Sequence, residues 1–460
     1  MKKIFLLLII LLSGELLAGV RAATPTPQST DPSSWWCQRF EKKCIDLKEK
    51  GAPLLLIGDD VTQMWEENGK GLQPFRAYLQ KEPVSAIDIG YTGDRTENVL
   101  WRLQNGELDG YEPPKAALIM VGANNTLDFT EDEEPPCDTI LGIRSIIDTI
   151  KERCPETKIF VFSILPCGRT PNDQRRTRNF NVNAALSRLC EPLGATYYEI
   201  NSQVMDIDGN FGEDFSYDGI HLNTKGYKVW VKNINKLLNP IFFPEETPSY
   251  KLPVSRFGEP WWFDRVFEIR SAIGTTTTRP NVVLLGDDLA KGWEEQGAEA
   301  AKECFGSRRV NNAGINGDSL AQIIWRARYS CLSAFRPALV VLQAGLVDSE
   351  ITAEEFIDAY KDLVTEARSK QTASKIIIMA VPLRGASRND PARARIEAIN
   401  EGLEKLVTND KTFFVNCNDE LLEPDGTLSA EMSPDQIHFS SKAYEIWGQA
   451  IQEILNNEQR

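Results

Sequence analysis

Short unbroken apolar runs punctuate the chain, each ending in small or acidic residues and followed by an amphipathic stretch. In the first half these runs are Leu54–Ile57, Ala117–Val121, Ile159–Leu165 and Ala195–Ile200. Continuous rather than alternating apolarity predicts strands buried on both faces, hence a parallel sheet covered by helices. In such sheets ligands bind beyond the carboxyl ends of the strands. Gly-Asp-Asp (58–60), Gly-Ala-Asn (122–124) and Leu-Pro-Cys-Gly (165–168) all fall at such ends.

The pattern occurs twice. "LLLIGDDVTQMWEENG" from Leu54 is matched by "VLLGDDLAKGWEEQG" from Val283, and "GYTGDRTENVLWRL" from Gly90 by "GINGDSLAQIIWRA" from Gly314. "ALIMVGANN" from Ala117 answers "LVVLQAGLVD" from Leu339, and "YDGIHLNTKGYKVW" from Tyr217 answers "PDQIHFSSKAYEIW" from Pro434. A long co-linear match at a nearly constant offset means a duplicated domain. The expected organisation is a signal peptide over 1–22, a Pro/Ser/Thr-rich disordered leader over 23–34, a first domain over 35–238, an extended linker with five prolines over 239–260, and a second domain over 261–460.

The ends and the composition narrow the class. Lys2 and Lys3 precede the apolar run Ile4–Leu12, and Val20-Arg21-Ala22 offers small residues for cleavage, the pattern of an export signal. The run is too short to span a bilayer, and no later stretch is long and apolar enough to do so. The expectation is a secreted or periplasmic protein. A formal net charge of −15 argues against nucleic acid as a partner. Nine cysteines match no zinc pattern, and export makes one or two disulfides in the first half an expectation. The oligomeric state is not legible in the sequence.

The whole chain has two histidines, His221 and His438, each three residues after an aspartate, Asp218 and Asp435. An aspartate beside an imidazole fixes its tautomer and raises its basicity. Two matching units in a chain otherwise devoid of histidine mark both as site residues.

These residues carry a resemblance. Gly-Asp after the first strand, a glycine loop, Gly-x-Asn and a late Asp-x-x-His resemble the SGNH/GDSL hydrolases. "ENVLWRLQNGELDG" and "LPCGRTPND" look like the platelet-activating-factor acetylhydrolase branch of that superfamily. The resemblance implies two tandem flavodoxin-like α/β/α sandwiches with mainly parallel five-stranded sheets. It also implies hydrolysis of short acyl esters of lipids or carbohydrates, without a metal or other cofactor. Carried over residue by residue, Asp218 and His221 would be the acid and base, and Gly93 and Asn124 the oxyanion-hole donors. The second copy supplies Asp435, His438 and Gly317, with Val347 at the Asn position. The nucleophile position falls on Asp60 and Asp288, where the family has serine.

A carboxylate at that position would accept the N–H groups meant for an oxyanion and set the histidine between two acids, favouring imidazolium. Ester hydrolysis by the family route is then crippled. Three readings stand: a non-catalytic domain that binds a small-molecule acyl ester or carbohydrate, a hydrolase using Asp60 as nucleophile or base, and a site where Asp60, Asp218 and His221 hold a divalent metal. Asp60 could also be a plain helix cap. The acidic insertion "TLDFTEDEEPPCDT" after Asn125 reads as a solvated loop.

Overall fold

The computed structural model describes residues 20–206, 208–273, 280–332, 336–384 and 387–456. The signal peptide expected over 1–22 lies outside the described residues as far as residue 19; its expected last residues are instead part of the first unit, with Arg21 paired to Glu134 and Ala22 fully buried. The chain divides into two compact units, with the boundary between Glu246 and Thr247.

Each unit is built on a five-stranded parallel sheet flanked by helices. In the first, the strands are β1 (Leu54–Gly58), β2 (Ala86–Gly90), β3 (Ala116–Met120), β4 (Lys158–Phe162) and β5 (Ala195–Tyr198), in the order β2-β1-β3-β4-β5. In the second they are β6 (Val282–Gly286), β7 (Val310–Gly314), β8 (Leu339–Gln343), β9 (Lys375–Met379) and β10 (Thr412–Val415), in the order β10-β9-β8-β6-β7. The two orders are the same topology. Every residue of β1, β3, β6 and β8 is buried, which is why these strands read as unbroken apolar runs. The two tandem α/β/α sandwiches expected from the sequence are thus present.

Three local expectations are corrected. First, β2 and β7 were not among the expected strands; "AIDIG" and "VNNAG" carry polar residues at Asp88, Asn311 and Asn312, which breaks the apolar signal. Second, the leader is ordered. Thr26 N donates to Glu97 O (3.1 Å), Thr96 Oγ1 to Ala22 O (2.8 Å) and Asn98 Nδ2 to Thr26 O (2.9 Å). A Pro/Thr-rich strand that cannot pair with itself is held by the helix Thr96–Arg102 instead. Third, Cys37, Cys44, Cys137, Cys154, Cys167, Cys304, Cys331 and Cys417 are free thiols, so the expected bridges are not formed; most of these side chains serve as small apolar fillers in the cores.

The insertion after Asn125 is only partly solvated. Glu131–Glu133 are exposed, but Glu134 is buried, accepting from Asn125 Nδ2 (2.6 Å) and pairing with Arg21 (2.9 Å). Among the described residues no helix is long and apolar enough to cross a membrane.

Candidate functional site

The site in the first unit begins at the end of β1. Gly58 leaves no room for a side chain: a Cβ there would lie 2.1 Å from Thr62 Oγ1 and 2.2 Å from Met120 O. The chain turns at once into the short helix Asp60–Gln63. Asp59, not Asp60, is its cap; the Asp59 carboxylate accepts from Val61 N (3.2 Å) and also from the backbone N–H of Gly122 at the end of β3. Burial pushes the Asp59 carboxyl well above the usual range, and the adjoining charge of Asp60 adds to this.

Asp60 is therefore free of capping, and its side chain reaches sideways. Asp60 Oδ2 accepts from Gly93 N (2.9 Å) and from Asn124 Nδ2 (2.6 Å). Gly93 sits at φ +77°, a conformation that turns its N–H toward Asp60 and that a side chain would strain. Asn124 also donates to Asp94 O (2.9 Å), which fixes its amide plane.

The histidine segment folds over the same turn. Tyr227 Oη donates to Val61 O (2.5 Å), Thr224 Oγ1 to Gly69 O (2.6 Å), and Tyr217 Oη lies 3.7 Å from Met64 Sδ. Asp218 accepts from His221 N (2.8 Å) and Ile220 N (2.9 Å), and its Oδ2 is 2.6 Å from His221 Nδ1. Burial opposes ionisation of Asp218, but these hydrogen bonds outweigh it and hold the carboxyl below its ordinary value. Tyr217 stacks on the His221 ring at 5.8 Å between centroids. Among the described residues, no ion pair within 4.0 Å joins His221 to Asp60.

The second unit repeats the arrangement with two changes. Asp287 is the cap, accepting from Leu289 N (3.1 Å) and Leu346 N (3.1 Å); burial pushes its carboxyl up to about 8. Asp288 Oδ2 accepts from Gly317 N (2.8 Å), with Gly317 at φ +70°. Val347 stands in the place of Asn124, 42% exposed and with no donor to offer. His438 closes on both acids, Nδ1 at 2.6 Å from Asp435 Oδ2 and Nε2 at 3.5 Å from Asp288 Oδ1. The bond to Asp435 raises the His438 pKa, burial opposes, and Asp288 adds to the rise. Its partner Asp435 is held down to about 2 by the same bond. Asp60, Gly93 and Asn124 thus meet, as do Asp218 and His221, while in the second unit Asp288, Gly317, His438 and Asp435 form one connected chain.

A bracing network beneath the glycine loop was missed in the sequence. Trp36 Nε1 donates to Asp94 Oδ1 (2.8 Å), and Arg102 Nε to Asp94 Oδ2 (2.8 Å); Arg102 also reaches Gly58 O (3.3 Å) and the Glu107 carboxylate. The second unit repeats all but the glutamate: Trp262 Nε1 donates to Asp318 Oδ1 (2.8 Å), Arg326 Nε to Asp318 Oδ2 (2.8 Å) and Arg326 Nη2 to Gly286 O (2.7 Å), while Arg326 Nη1 donates to Ala313 O. Asp94, Arg102, Asp318 and Arg326 are fully buried. The signal was present as an Asp and an Arg eight residues apart in both "GDRTENVLWR" and "GDSLAQIIWR".

The segment before each first helix also touches the loop. Gln28 Nε2 donates to Thr92 O (3.0 Å) and Arg256 Nη1 to Asn316 O (3.3 Å), each accepting carbonyl belonging to the residue before Gly93 or Gly317. Among the described residues, no cluster of three or more His, Cys, Asp or Glu side chains is placed to hold a metal ion.

Comparison with known proteins follows this geometry. The platelet-activating factor acetylhydrolase IB subunit alpha2 of Rattus norvegicus and that of Homo sapiens are each 31% identical over 223 residues, covering 47% of this chain and 88% of theirs. Among solved structures, a GDSL-like lipase from Bacteroides thetaiotaomicron is similar at 19% identity, covering 42% of this chain and 97% of its own, with a TM-score of 0.37. The carbohydrate acetylesterase Est24 from Sinorhizobium meliloti is similar at 16% identity, covering 39% and 99%, with a TM-score of 0.32. The model of the GDSL-like lipase/acylhydrolase family matches residues 56–229 and again 276–446, well over half of the chain, which therefore belongs to that family as a tandem pair of its domains.

Proposed function

We propose that this chain is an exported tandem GDSL-family protein in which aspartate has replaced the nucleophilic serine in both domains. Its pockets retain a short acyl ester or carbohydrate as ligand and turn esters over weakly or not at all. The observation that carries this reading is the double acceptance at Asp60 Oδ2, from Gly93 N and Asn124 Nδ2. Two donors converging on one point are what a developing oxyanion needs, and here the protein's own carboxylate occupies that point. In the second domain Asp288 does the same with Gly317, and the nearby Asp288 charge favours imidazolium at His438, which cannot act as a base. The acetylhydrolase name of the mammalian relatives supports a short acyl group in the ligand. Export rests on the basic residues Lys2 and Lys3 followed by the apolar run Ile4–Leu12, with the Arg21 and Ala22 contacts placing any cleavage ahead of Arg21.

A second reading has its own support in the first domain. His221 is paired with Asp218, and among the described residues no ion pair joins it to Asp60 as one joins His438 to Asp288, so no second carboxylate holds it as imidazolium. Turnover of an aryl acetate by the purified full chain, with His221→Ala as control, separates the two readings. A ligand-induced rise in melting temperature without turnover supports the binding reading; turnover lost in His221→Ala overturns it in favour of a hydrolase.

A further inference from the structure

Asp88 of β2 and Asn312 of β7 occupy the same place in the two units. Asp88 stands beside Leu56 of β1, and Asn312 beside Leu284 of β6. Each gives one oxygen to the glycine two residues on: Gly90 N donates to Asp88 Oδ1 (2.6 Å), and Gly314 N to Asn312 Oδ1 (2.8 Å). Both glycines press against the short site helix in the same way. A Cβ on Gly90 would lie 2.2 Å from Gln63 N and 2.7 Å from Thr62 C; one on Gly314 would lie 2.1 Å from Lys291 N and 2.5 Å from Ala290 C.

The two side chains differ in their second polar atom. Asn312 Nδ2 donates to Ala290 O (2.8 Å) and Lys291 O (3.3 Å), tying the helix Asp288–Lys291 to β7. The matching carbonyls in the first unit are those of Thr62 and Gln63, in the helix that carries Asp60. Asp88 Oδ2 is completely buried and has no hydrogen-bond partner. As a carboxylate oxygen it could only accept, and facing carbonyls it would be a buried, unsatisfied charge, which is costly. A proton on Oδ2 turns the group into a copy of the Asn312 amide.

We infer that Asp88 is held as a neutral carboxylic acid whose Oδ2–H donates to the Thr62 or Gln63 carbonyl, making it a positioning residue for the Asp60 helix. The titratable and charged groups that face it are Arg39 and Lys43 of the helix Trp35–Lys50, Glu66 after the site helix, and Tyr227 of the helix Thr224–Phe242, whose hydroxyl is engaged by Val61 O. Arg39 Nη2 is 3.9 Å from Asp88 Oδ1, but both cations are engaged by Glu66, Arg39 at 3.0 Å and Lys43 at 2.6 Å. Burial pushes the Asp88 carboxyl up to about 7, with Glu66 adding to the rise and Lys43 and Arg39 opposing it. Because the folded value is raised, the contribution of Asp88 to stability is fully present below its unfolded value, about 3.8, and is lost as pH rises through about 7. The inference stands whether or not the pocket hydrolyses esters.

The test uses the full chain as wild type, Asp88→Asn and Asp88→Ala, unfolded by heat between about pH 5 and about pH 9. Asp88→Asn should melt at or above the wild-type temperature above pH 7 and flatten the decline with pH, whereas Asp88→Ala should melt lower throughout. A wild-type minus Asp88→Asn infrared difference spectrum should show a protonated-carboxyl stretch near neutral pH, lost on alkalinisation. Should neither variant fold, the Asp88 carboxyl carbon in wild-type protein, followed by NMR against pH, still decides. An Asn variant less stable than wild type at every pH, or a carboxyl carbon already ionised at about pH 5, overturns the inference and makes Asp88 an ionised partner of Arg39 and Lys43.

Discussion

Asn124 Nδ2 lies 2.6 Å from Asp60 Oδ2, so this side-chain donor is satisfied by the protein itself before any ligand arrives. Replacing Asp60 by serine withdraws that acceptor and leaves Gly93 N and Asn124 Nδ2 pointing at space a substrate carbonyl can enter. Asp60→Ser should therefore create or raise esterase activity on an aryl acetate. Asp288→Ser should gain less by a factor of about 10²–10³, because Val347 supplies no second donor. Initial rates for wild type and both variants decide. A fall in an existing activity on Asp60→Ser would show that the carboxylate itself takes part in the chemistry.

The buried Arg102 cation holds Asp94 and Glu107 together and touches the carbonyl of Gly58. Removing it leaves two buried carboxylates unpaired. Arg102→Leu should cost the first domain roughly 3–5 kcal/mol, and Arg326→Leu should cost the second less, because it strips Arg326 from Asp318 alone, which Arg256 still contacts at 3.3 Å. Denaturant unfolding monitored separately for each domain's tryptophans would measure this. A loss below about 1 kcal/mol would mean that the pairs are replaceable by packing alone.

With two histidines in the chain, two imidazole signals report both sites by NMR. His438 is raised by its bond to Asp435, with burial opposing and Asp288 assisting. The stability this brings is fully present below the unfolded histidine value and is lost as pH rises through the folded one. For Asp435, held down to about 2, the stability is present above its unfolded value of 3.8 and lost as pH falls through about 2. Asp288→Asn should lower the His438 midpoint and leave the His221 signal where it was. An unmoved His438 midpoint would show that the 3.5 Å contact carries no charge interaction in solution.

Gln28 supports Thr92 O, one residue before Gly93. A single neutral hydrogen bond is worth about 0.5–1.5 kcal/mol, so Gln28→Ala in the Asp60→Ser background should reduce the gained kcat by about two- to tenfold with little change in KM. Equal activity in the single and double variants would make Gln28 a passenger of the ordered leader.

The tandem repeat and most of the buried strands were legible because each leaves a local signature, an unbroken apolar run or a motif at a strand end, whereas the meeting of Asp60 with Gly93 and Asn124 was legible only through the family resemblance. β2 was not, because Asp88 sits in a strand whose buried polar side chain works on the backbone of its neighbour rather than facing solvent. The ordered leader was hidden for a related reason. Its Pro/Thr composition describes what it cannot do with itself and says nothing of the Glu97 carbonyl, the Thr96 hydroxyl and the Asn98 amide N–H that meet this part of the chain. The difference between His221 and His438 was equally invisible, since "DGIHLN" and "DQIHFS" predict the same dyad and the distance to Asp60 or Asp288 is set by packing across the pocket.

The bracing of the pocket frame by Asp59, Asp94, Arg102 and Trp36 has an evolutionary consequence. None of these residues depends on Asp60 to hold its position, so the side chain at position 60 is close to a free variable of the fold. The shortest route from an aspartate codon to the AGU and AGC serine codons passes through asparagine or glycine, and neither side chain reaches the buried ion pairs beneath. The residue at position 60 can therefore be exchanged without unfolding the frame, which makes the pocket editable on a chassis that stays folded.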